Sequence, residues 1–535
     1  MGKRRILSVG LAAAVVAASA LTVSMTAYGS PRKAANGSGV LTFALSDEPD
    51  TLDPAVTGSQ ESYSVDLSIF DTLVYRSDKT QKFEPDLATS WTTNSNGTVY
   101  TFTLRHGVKF QDGTPFNAAA VAFNLNRVVA PATKSATAAG IIGPYKSSKV
   151  LSTYKVQVNF STSTSPVAVL DALSQAYFGM VSPAAVKKYG ANFGEHPVGT
   201  GPFVFQQWIP NEQITLTRNP DYTWGTPALG RLGPAYLSKV VFRIIPNAAT
   251  RLASLQSNDV GIAQQLPTDS FKSLSPQYQT INEPAPGFPV CIWMNTAAGP
   301  LASLQVRQAV LYAFDRATMI KDVYQGLYSS AYGPLANTTW SFDPAVEKLY
   351  PYDPAKADAL LNAAGWKMGS GGVRVKDGKK LVLRMYDLMD PLRGEYLASD
   401  LAKVGIDVIP RIVGDQDLFG LTRKASGYDL ASTWFASSDP SILSVLFLSS
   451  NVANGFAISE WKSPQLDALL NEGIATFNST KRKAVYAEIQ MYVMQHALLI
   501  PFYAQNELDA INKAYTGYSL QRGQYPVLYN VQEKS

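Results

Sequence analysis

The 535-residue chain contains one cysteine and three histidines. A lone Cys291 can form no internal disulfide and can build no thiolate metal cluster. It stands in the apolar run Val290-Cys291-Ile292-Trp293, which reads as a buried structural thiol. His106, His196 and His496 are far apart, so the paired histidines of a zinc-protease helix are missing. His196, inside Glu195-His196-Pro197-Val198-Gly199, reads as a loop residue. The Gly-x-Ser-x-Gly elbow, the phosphate-cradling Gly-x-x-x-x-Gly-Lys-Ser/Thr loop and the dinucleotide Gly-x-Gly-x-x-Gly are also absent. So thin a supply of the commonest acid–base side chain weighs against an enzyme. No catalytic residue, metal or cofactor is expected. Charge is sparse as well, at 16% of residues, and the formal net charge is +5. Three of those positive charges, Lys3, Arg4 and Arg5, sit at the start with no acid beside them. The rest of the chain is nearly neutral and carries no electrostatic footprint for nucleic acid or acidic lipid.

Apolar material is plentiful, at 46% of residues, enough for two or three domains. Lys3-Arg4-Arg5 precedes an apolar stretch of small residues from Ile6 to Val23, then Ser24 to Pro31. Positive start, apolar centre and small-residue exit make a signal peptide over residues 1–29. Beyond it, no run reaches the roughly 18 apolar residues of a membrane helix. A soluble protein outside the cytoplasm is expected. Two readings stand for Met25-Thr26-Ala27-Tyr28-Gly29-Ser30. It resembles a lipobox with Tyr28 where the lipid-accepting cysteine belongs, by natural or engineered replacement, or it is an ordinary cleavage site before Ser30. Under both, the mature chain carries no lipid. Residues 30–39 are small, polar and basic, a linker.

From Val40 onward, short strands alternate with helices, a mixed α/β pattern. β-branched and aromatic content between turn residues predicts strands at Thr98 to Arg105, Tyr154 to Phe160, Ile214 to Asn219, Val240 to Ile245 and Pro289 to Asn295. Further strands are predicted at Leu381 to Asp387, Ile406 to Val413, Tyr428 to Phe435 and Leu499 to Ala504. Asp353-Pro354 opens a helix that Gly365 stops, and Ser463-Pro464 opens another. Val306, Val310, Ala313 and Phe314 mark a third, ending near Gly326. Asn117 is placed to cap a helix over the apolar stretch Ala118 to Val129. Gly199 and Gly201 flank Thr200, as expected where the backbone adopts unusual torsions.

Several segments occur in a fixed order: Asp50-Thr51-Leu52-Asp53-Pro54, Ile69-Phe70-Asp71-Thr72-Leu73-Val74-Tyr75 and Pro85-Asp86-Leu87-Ala88-Thr89-Ser90-Trp91. Val108-Lys109-Phe110-Gln111-Asp112-Gly113-Thr114-Pro115-Phe116-Asn117 follows, then Val198-Gly199-Thr200-Gly201-Pro202-Phe203 and Arg218-Asn219-Pro220-Asp221-Tyr222. Val306-Arg307-Gln308-Ala309-Val310 continues the series in the second half. Together they resemble the extracytoplasmic solute-binding proteins of ABC importers, in the family for oligopeptides, dipeptides, nickel complexes and some oligosaccharides, bacterial solute-binding protein family 5. The resemblance spans nearly all of residues 40 to 510. Each motif alone is weak; the register of the whole set is specific.

The resemblance implies a two-lobe, periplasmic-binding-protein-like α/β clamp of the large type II class. Lobe I would comprise residues 40–72 and 200–285, with an extra subdomain at 73–199; lobe II would span 286–500, and 501–535 would return to lobe I. Two crossovers, near Pro284 to Pro289 and Pro501 to Gln505, would form the hinge. A small molecule or short oligomer would be captured between the lobes and delivered to an ABC permease by a monomer. In the family's peptide carriers a Trp-x-x-Asp element holds the peptide's amino terminus. The matching stretch here is Trp434-Phe435-Ala436-Ser437-Ser438-Asp439, with serine at the place of the aspartate. Losing that carboxylate removes a charge-assisted bond of roughly 1.5–3 kcal/mol. Either a free-amine peptide is then poorly held, or Asp439 takes over. Candidate ligand contacts are Trp434, Phe435, Ser437, Asp439, Trp293 and Tyr503, with Gln60 and Tyr63 from the loop after Leu52-Asp53-Pro54. A peptide-like or oligosaccharide ligand fits this set; nickel fits it poorly, for want of clustered histidines. A secreted hydrolase or a sensory receptor on the same scaffold are the alternatives.

Overall fold

A computed structural model of the chain describes residues 39–534 except 78, 136, 275, 389, 425, 454 and 523. The expected leader at 1–29, Tyr28 and the linker before Gly39 lie outside the described residues. Two large mixed sheets organise the rest. The first has seven strands in the order Gln279–Pro284, Asn506–Ile511, Ile262–Ala263, Val40–Leu45, Lys239–Ile244, Gln213–Arg218 and Phe203–Ile209. The second has five, in the order Asp407–Ile412, Val382–Asp387, Leu430–Ala436, Gly287–Met294 and Leu499–Tyr503. Each sheet has its own apolar core. A four-stranded antiparallel sheet, Ala88–Thr93, Val99–Leu104, Lys155–Phe160 and Tyr145–Ser152, lies between two strands of the first sheet in the sequence.

Every strand predicted from the sequence is a strand here, with ends shifted by one or two residues. The reason is local: in Val99–Leu104 buried residues alternate with half-buried ones, whereas Gly287–Met294 is buried throughout and accordingly reads as an unbroken apolar run. Helix starts are equally local. Asn117 accepts from the Ala120 amide (3.1 Å), and Asp353 and Ser463 cap the helices Pro354–Ala363 and Pro464–Ala475.

Two expectations need correction. The stretch from Val306 to Gly326 is two helices, Leu304–Ala313 and Arg316–Tyr324, because Asp315 leaves helical torsions and caps the second through the Thr318 amide (3.1 Å). Gly199 and Gly201 do not have positive φ. They are needed for close approach: a Cβ on Gly201 would stand 2.6 Å from the Ile69 carbonyl carbon.

The chain passes from the first sheet to the second between Pro284 and Gly287 and back between Tyr503 and Asn506. The crossovers lie side by side, the Ala285 amide donating to the Gln505 carbonyl (2.8 Å). Gly287 has φ +104° and leads directly into the second sheet.

Candidate functional site

A chamber of about 1040 Å3 opens between the four-stranded subdomain and the lobe built on the five-stranded sheet. Residues between 135 and 175 form one wall and residues between 423 and 475 the other. Hydroxyls and amides such as Ser437, Ser441, Ser444, Thr164, Gln175 and Asn451 alternate with small apolar side chains. Asp171 and Arg423 are the only charged residues in the described lining. The walls meet at the edges of the chamber. Ser165 donates its amide to the Ile474 carbonyl (2.8 Å), and Arg522, from the C-terminal segment, donates to Ser438 Oγ (3.0 Å). Arg522 also donates to Asp171 Oδ1 (3.0 Å) and Ser174 Oγ (2.6 Å), while Arg76 holds the same Asp171 oxygen at 2.6 Å. Asp171 is therefore offset by two guanidinium groups on one oxygen and held by the Gln175 amide on the other (3.1 Å), and the chamber presents a polar, nearly uncharged interior.

The stretch from Trp434 to Asp439 runs off the end of the second sheet. Trp434 and Phe435 are half-buried against the second core and stand outside the chamber wall, whereas Ser437 is in it. The Ser437 amide donates to the Pro286 carbonyl (2.9 Å) and its hydroxyl to the Asp439 carbonyl (2.9 Å). Asp439 is fully buried, and Arg482 donates to both its oxygens (2.6 and 2.7 Å) while the Ser441 amide adds a third bond (2.9 Å). Burial alone would raise this carboxyl, but the Arg482 guanidinium and the Ser441 hydrogen bonds outweigh it and hold it below the ordinary aspartate value. The Asp439 carboxylate is committed to the scaffold.

Trp293 lies in the second core, stacked on Phe288 with ring centres 5.0 Å apart, and donates its indole N–H to Thr433 Oγ1 (2.6 Å). Replacing Thr433 by valine leaves that buried N–H without a partner. We expect a loss of about 1–3 kcal/mol in urea denaturation, with ligand affinity unchanged; affinity lost at full stability would instead put Trp293 in the site. Tyr503 is buried beside the second crossover. Its hydroxyl accepts from Arg393 Nη1 (3.0 Å) and lies 3.0 Å from that of Tyr324, which donates to Asp390. Tyr63 donates to the Thr57 carbonyl (2.7 Å) and packs edge-on to Tyr177, at 4.1 Å between ring centres. Gln60 donates to Glu507 Oε2 (3.2 Å). The candidates thus fall in three places: Ser437 in the chamber wall with Trp434, Phe435 and Asp439 beside it in the chain, Trp293 and Tyr503 inside the second lobe, and Gln60 and Tyr63 in the first turn of the helix Gln60–Ile69, not in the expected loop, because Ser59 caps that helix through the Ser62 amide.

Sequence reasoning passed over Asp171, Arg482, Arg522 and Glu507. Nothing local marks the first three, whose partners are distant in sequence. The alternation of acid and apolar residues in Glu507-Leu508-Asp509-Ala510 was legible as a strand with one polar face. The three histidines each stack on a tyrosine, His106 on Tyr154, His196 on Tyr189 and His496 on Tyr492. No group of three potential metal ligands forms among the described residues.

Residues 82–455 match the family described as Bacterial extracellular solute-binding proteins, family 5 Middle. The chain belongs to that family. The Escherichia coli nickel-binding periplasmic protein is 29% identical to this binding protein over 440 residues, 78% of this chain and 80% of that one. The glutathione-binding protein GsiB of Shigella dysenteriae is 29% identical over 488 residues, covering 88% and 89%. Among solved structures, the ABC transporter-associated periplasmic binding protein DppA of Helicobacter pylori, in complex with the peptide STSA, superposes with a TM-score of 0.81 at 26% identity, covering 93% of this chain and 98% of that one. The fold is the two-lobe α/β fold of periplasmic binding proteins, and the binding protein is the solute-binding component of an ABC importer. No helix among the described residues is long and apolar enough to cross a membrane.

Proposed function

We propose that the chain captures a short peptide-like or oligosaccharide ligand between its lobes and hands it to a membrane permease, acting as an exported monomer without a lipid anchor. Lobe I would comprise residues 40–72, 200–285 and 501–535 with the subdomain at 73–199, and lobe II residues 286–500. Clefts between lobes suit this task because both walls supply contacts and closure expels water. Ligand favours the closed form only by its higher affinity for that form.

The observation that carries the reading is the chamber, which at about 1040 Å3 lies at the upper end of the roughly 300–1,000 Å3 usual for ligand clefts. Its lining of hydroxyls, amides and small apolar groups matches the repeating polar and apolar units of a short neutral oligomer. With Ser437 in the wall and Asp439 held by Arg482, no carboxylate at that spot is free to take a ligand's amine. A nickel chelate is disfavoured by the scattered histidines, and turnover of peptides or sugars would mark the hydrolase alternative.

The test is a thermal-shift screen of residues 30–535 against peptide mixtures, oligosaccharides and nickel chelates. Ligand at a hundred times its dissociation constant should stabilise by about 2.7 kcal/mol. We expect a shift with a peptide or oligosaccharide class; a shift with nickel chelates alone overturns the reading.

A further inference from the structure

A second cavity, of about 60 Å3, shares none of the chamber's lining and lies between the end of the helix Gln60–Ile69, the turns at 222–229 and the C-terminal segment at 521–529. Its wall holds two aspartates, Asp71 and Asp86, each more than nine-tenths buried. Their backbones run side by side: Asp86 Oδ2 accepts from the amide of Thr72 (3.3 Å), the residue after Asp71. Asp71 is oriented by neutral donors, the Tyr222 hydroxyl on Oδ1 (3.0 Å) and the Trp224 indole on Oδ2 (3.0 Å). Arg105, whose guanidinium reaches this turn, donates to the Asp86 and Gly225 carbonyls (3.0 and 3.3 Å) and not to the carboxylates. Neither acid forms an ion pair among the described residues.

Two further polar side chains line the same cavity with nothing to bind. Ser68 is 2% exposed and Gln521 4%, and neither makes a side-chain hydrogen bond among the described residues. Asp86 Oδ1 likewise receives none. Buried polar groups left in this way are costly unless something occupies the space between them. Burial pushes both carboxyls above the ordinary aspartate range, and the charge of Asp71 pushes Asp86 further. A proton shared by the acids would ease that repulsion but leave Ser68 and Gln521 idle, whereas a cation engages all four side chains. Oxygen donors, two of them charged, select a hard divalent ion. The space holds about two water-sized groups, too few for the water shell that Mg2+ keeps, while Ca2+ takes carboxylate and amide oxygens in flexible geometry.

We infer that this cavity is a Ca2+ site, in which Asp71 and Asp86 supply the charge and Ser68 and Gln521 complete the set of protein ligands. Three of the ligands come from residues 68–86 and the fourth from the strand Ser519–Gln521 near the C terminus, so the ion ties the last segment of the chain to the first. The residue after Gln521 is Arg522, which bonds Asp171 and Ser438 at the chamber edge. The same ion therefore fixes the strand end from which that contact is made. The site is independent of what the chamber binds.

The test uses residues 30–535, stripped with EDTA and dialysed free of metal, then titrated with CaCl2 and, in parallel, with MgCl2. Equilibrium dialysis with metal analysis should find one Ca2+ per chain, and the thermal midpoint should rise with Ca2+ but not with equal Mg2+. Asp86→Asn should weaken Ca2+ binding by about tenfold or more, through loss of a charged ligand. In EDTA the same variant should be at least as stable as wild type, because one of two buried charges is gone; a purely structural aspartate would instead cost stability there. Gln521→Leu leaves both acids in place, should also weaken Ca2+ binding, and serves where Asp86→Asn folds poorly. No Ca2+ retained at about 1 mM free ion, the weak end for extracellular Ca2+ modules, overturns the site, as does an unchanged Ca2+ titration in both variants. Stabilisation by acid but not by Ca2+ overturns it in favour of a shared proton. None of these outcomes bears on the chamber.

Discussion

Asp439→Ala should lower the stability of the protein by about 3–5 kcal/mol, measured as a shift in the urea midpoint, because it strands Arg482 as an unpaired buried cation. Both side chains are almost fully buried, and the pair ties the stretch leaving the second sheet to the helix Ser479–Gln495. Arg482 also donates to the Gly473 carbonyl (2.8 Å), so its loss of balance would be felt in the helix Pro464–Ala475 that forms part of the chamber wall. Replacing both partners by apolar residues of similar size should recover much of the loss, since a buried pair often does little better than good packing. The pH dependence follows from the depressed folded carboxyl. The contribution of the pair is whole above about pH 4, near the value of a free aspartate, and disappears as pH falls through the lower folded value. If Asp439→Ala kept its stability but lost affinity for free-amine peptides, Asp439 would be the amine anchor after all.

Gly287→Ala should be nearly as damaging, at about 2–5 kcal/mol, by combining a left-handed torsion with steric overlap. An alanine Cβ would stand 2.7 Å from the Phe435 carbonyl oxygen and 2.8 Å from that of Ser437. Neither atom can swing aside, being backbone. The neighbourhood is also bonded through: the Gly287 amide donates to Thr339 Oγ1 (2.8 Å), the Ala336 amide to the Gly287 carbonyl (2.8 Å) and the Ser437 amide to the Pro286 carbonyl (2.9 Å). Relief must come from moving Ser437, so ligand affinity should fall along with the denaturation midpoint. A variant within about 0.5 kcal/mol of wild type would mean that the crossover yields freely, contrary to this geometry.

The strands and helix caps could be read from the sequence because their causes are local. Alternation in Val99–Leu104 and the side-chain caps at Asn117, Asp353 and Ser463 need no partner from elsewhere in the chain. The break at Asp315 was missed because an apolar stripe continues across it, and only the cap bond to Thr318 shows the restart. For Gly199 and Gly201 the sequence pointed to special positions but not to the reason, which is the passing backbone of Ile69 and Phe70. The site was harder still. Whether Asp439 is an anchor or a strut depends on Arg482, 43 residues further along, and Ser438 meets Arg522 across 84 residues. Such pairings are set by tertiary packing between distant segments and leave no periodic trace. The same holds for Trp293, whose aromatic surface suggested a ligand but is spent on Phe288 and Phe447.

The order of strands in the seven-stranded sheet has a consequence for biosynthesis. Asn506–Ile511 lies between Gln279–Pro284 and Ile262–Ala263, so one interior position of that sheet stays empty until almost the whole chain has been made. The five-stranded sheet, in contrast, is drawn from one uninterrupted stretch of chain and has all its strands by Tyr503. The half made first is thus the half completed last. A nascent chain that cannot close its leading sheet stays open and threadable, the condition a protein must keep if it is to pass unfolded through a translocation channel.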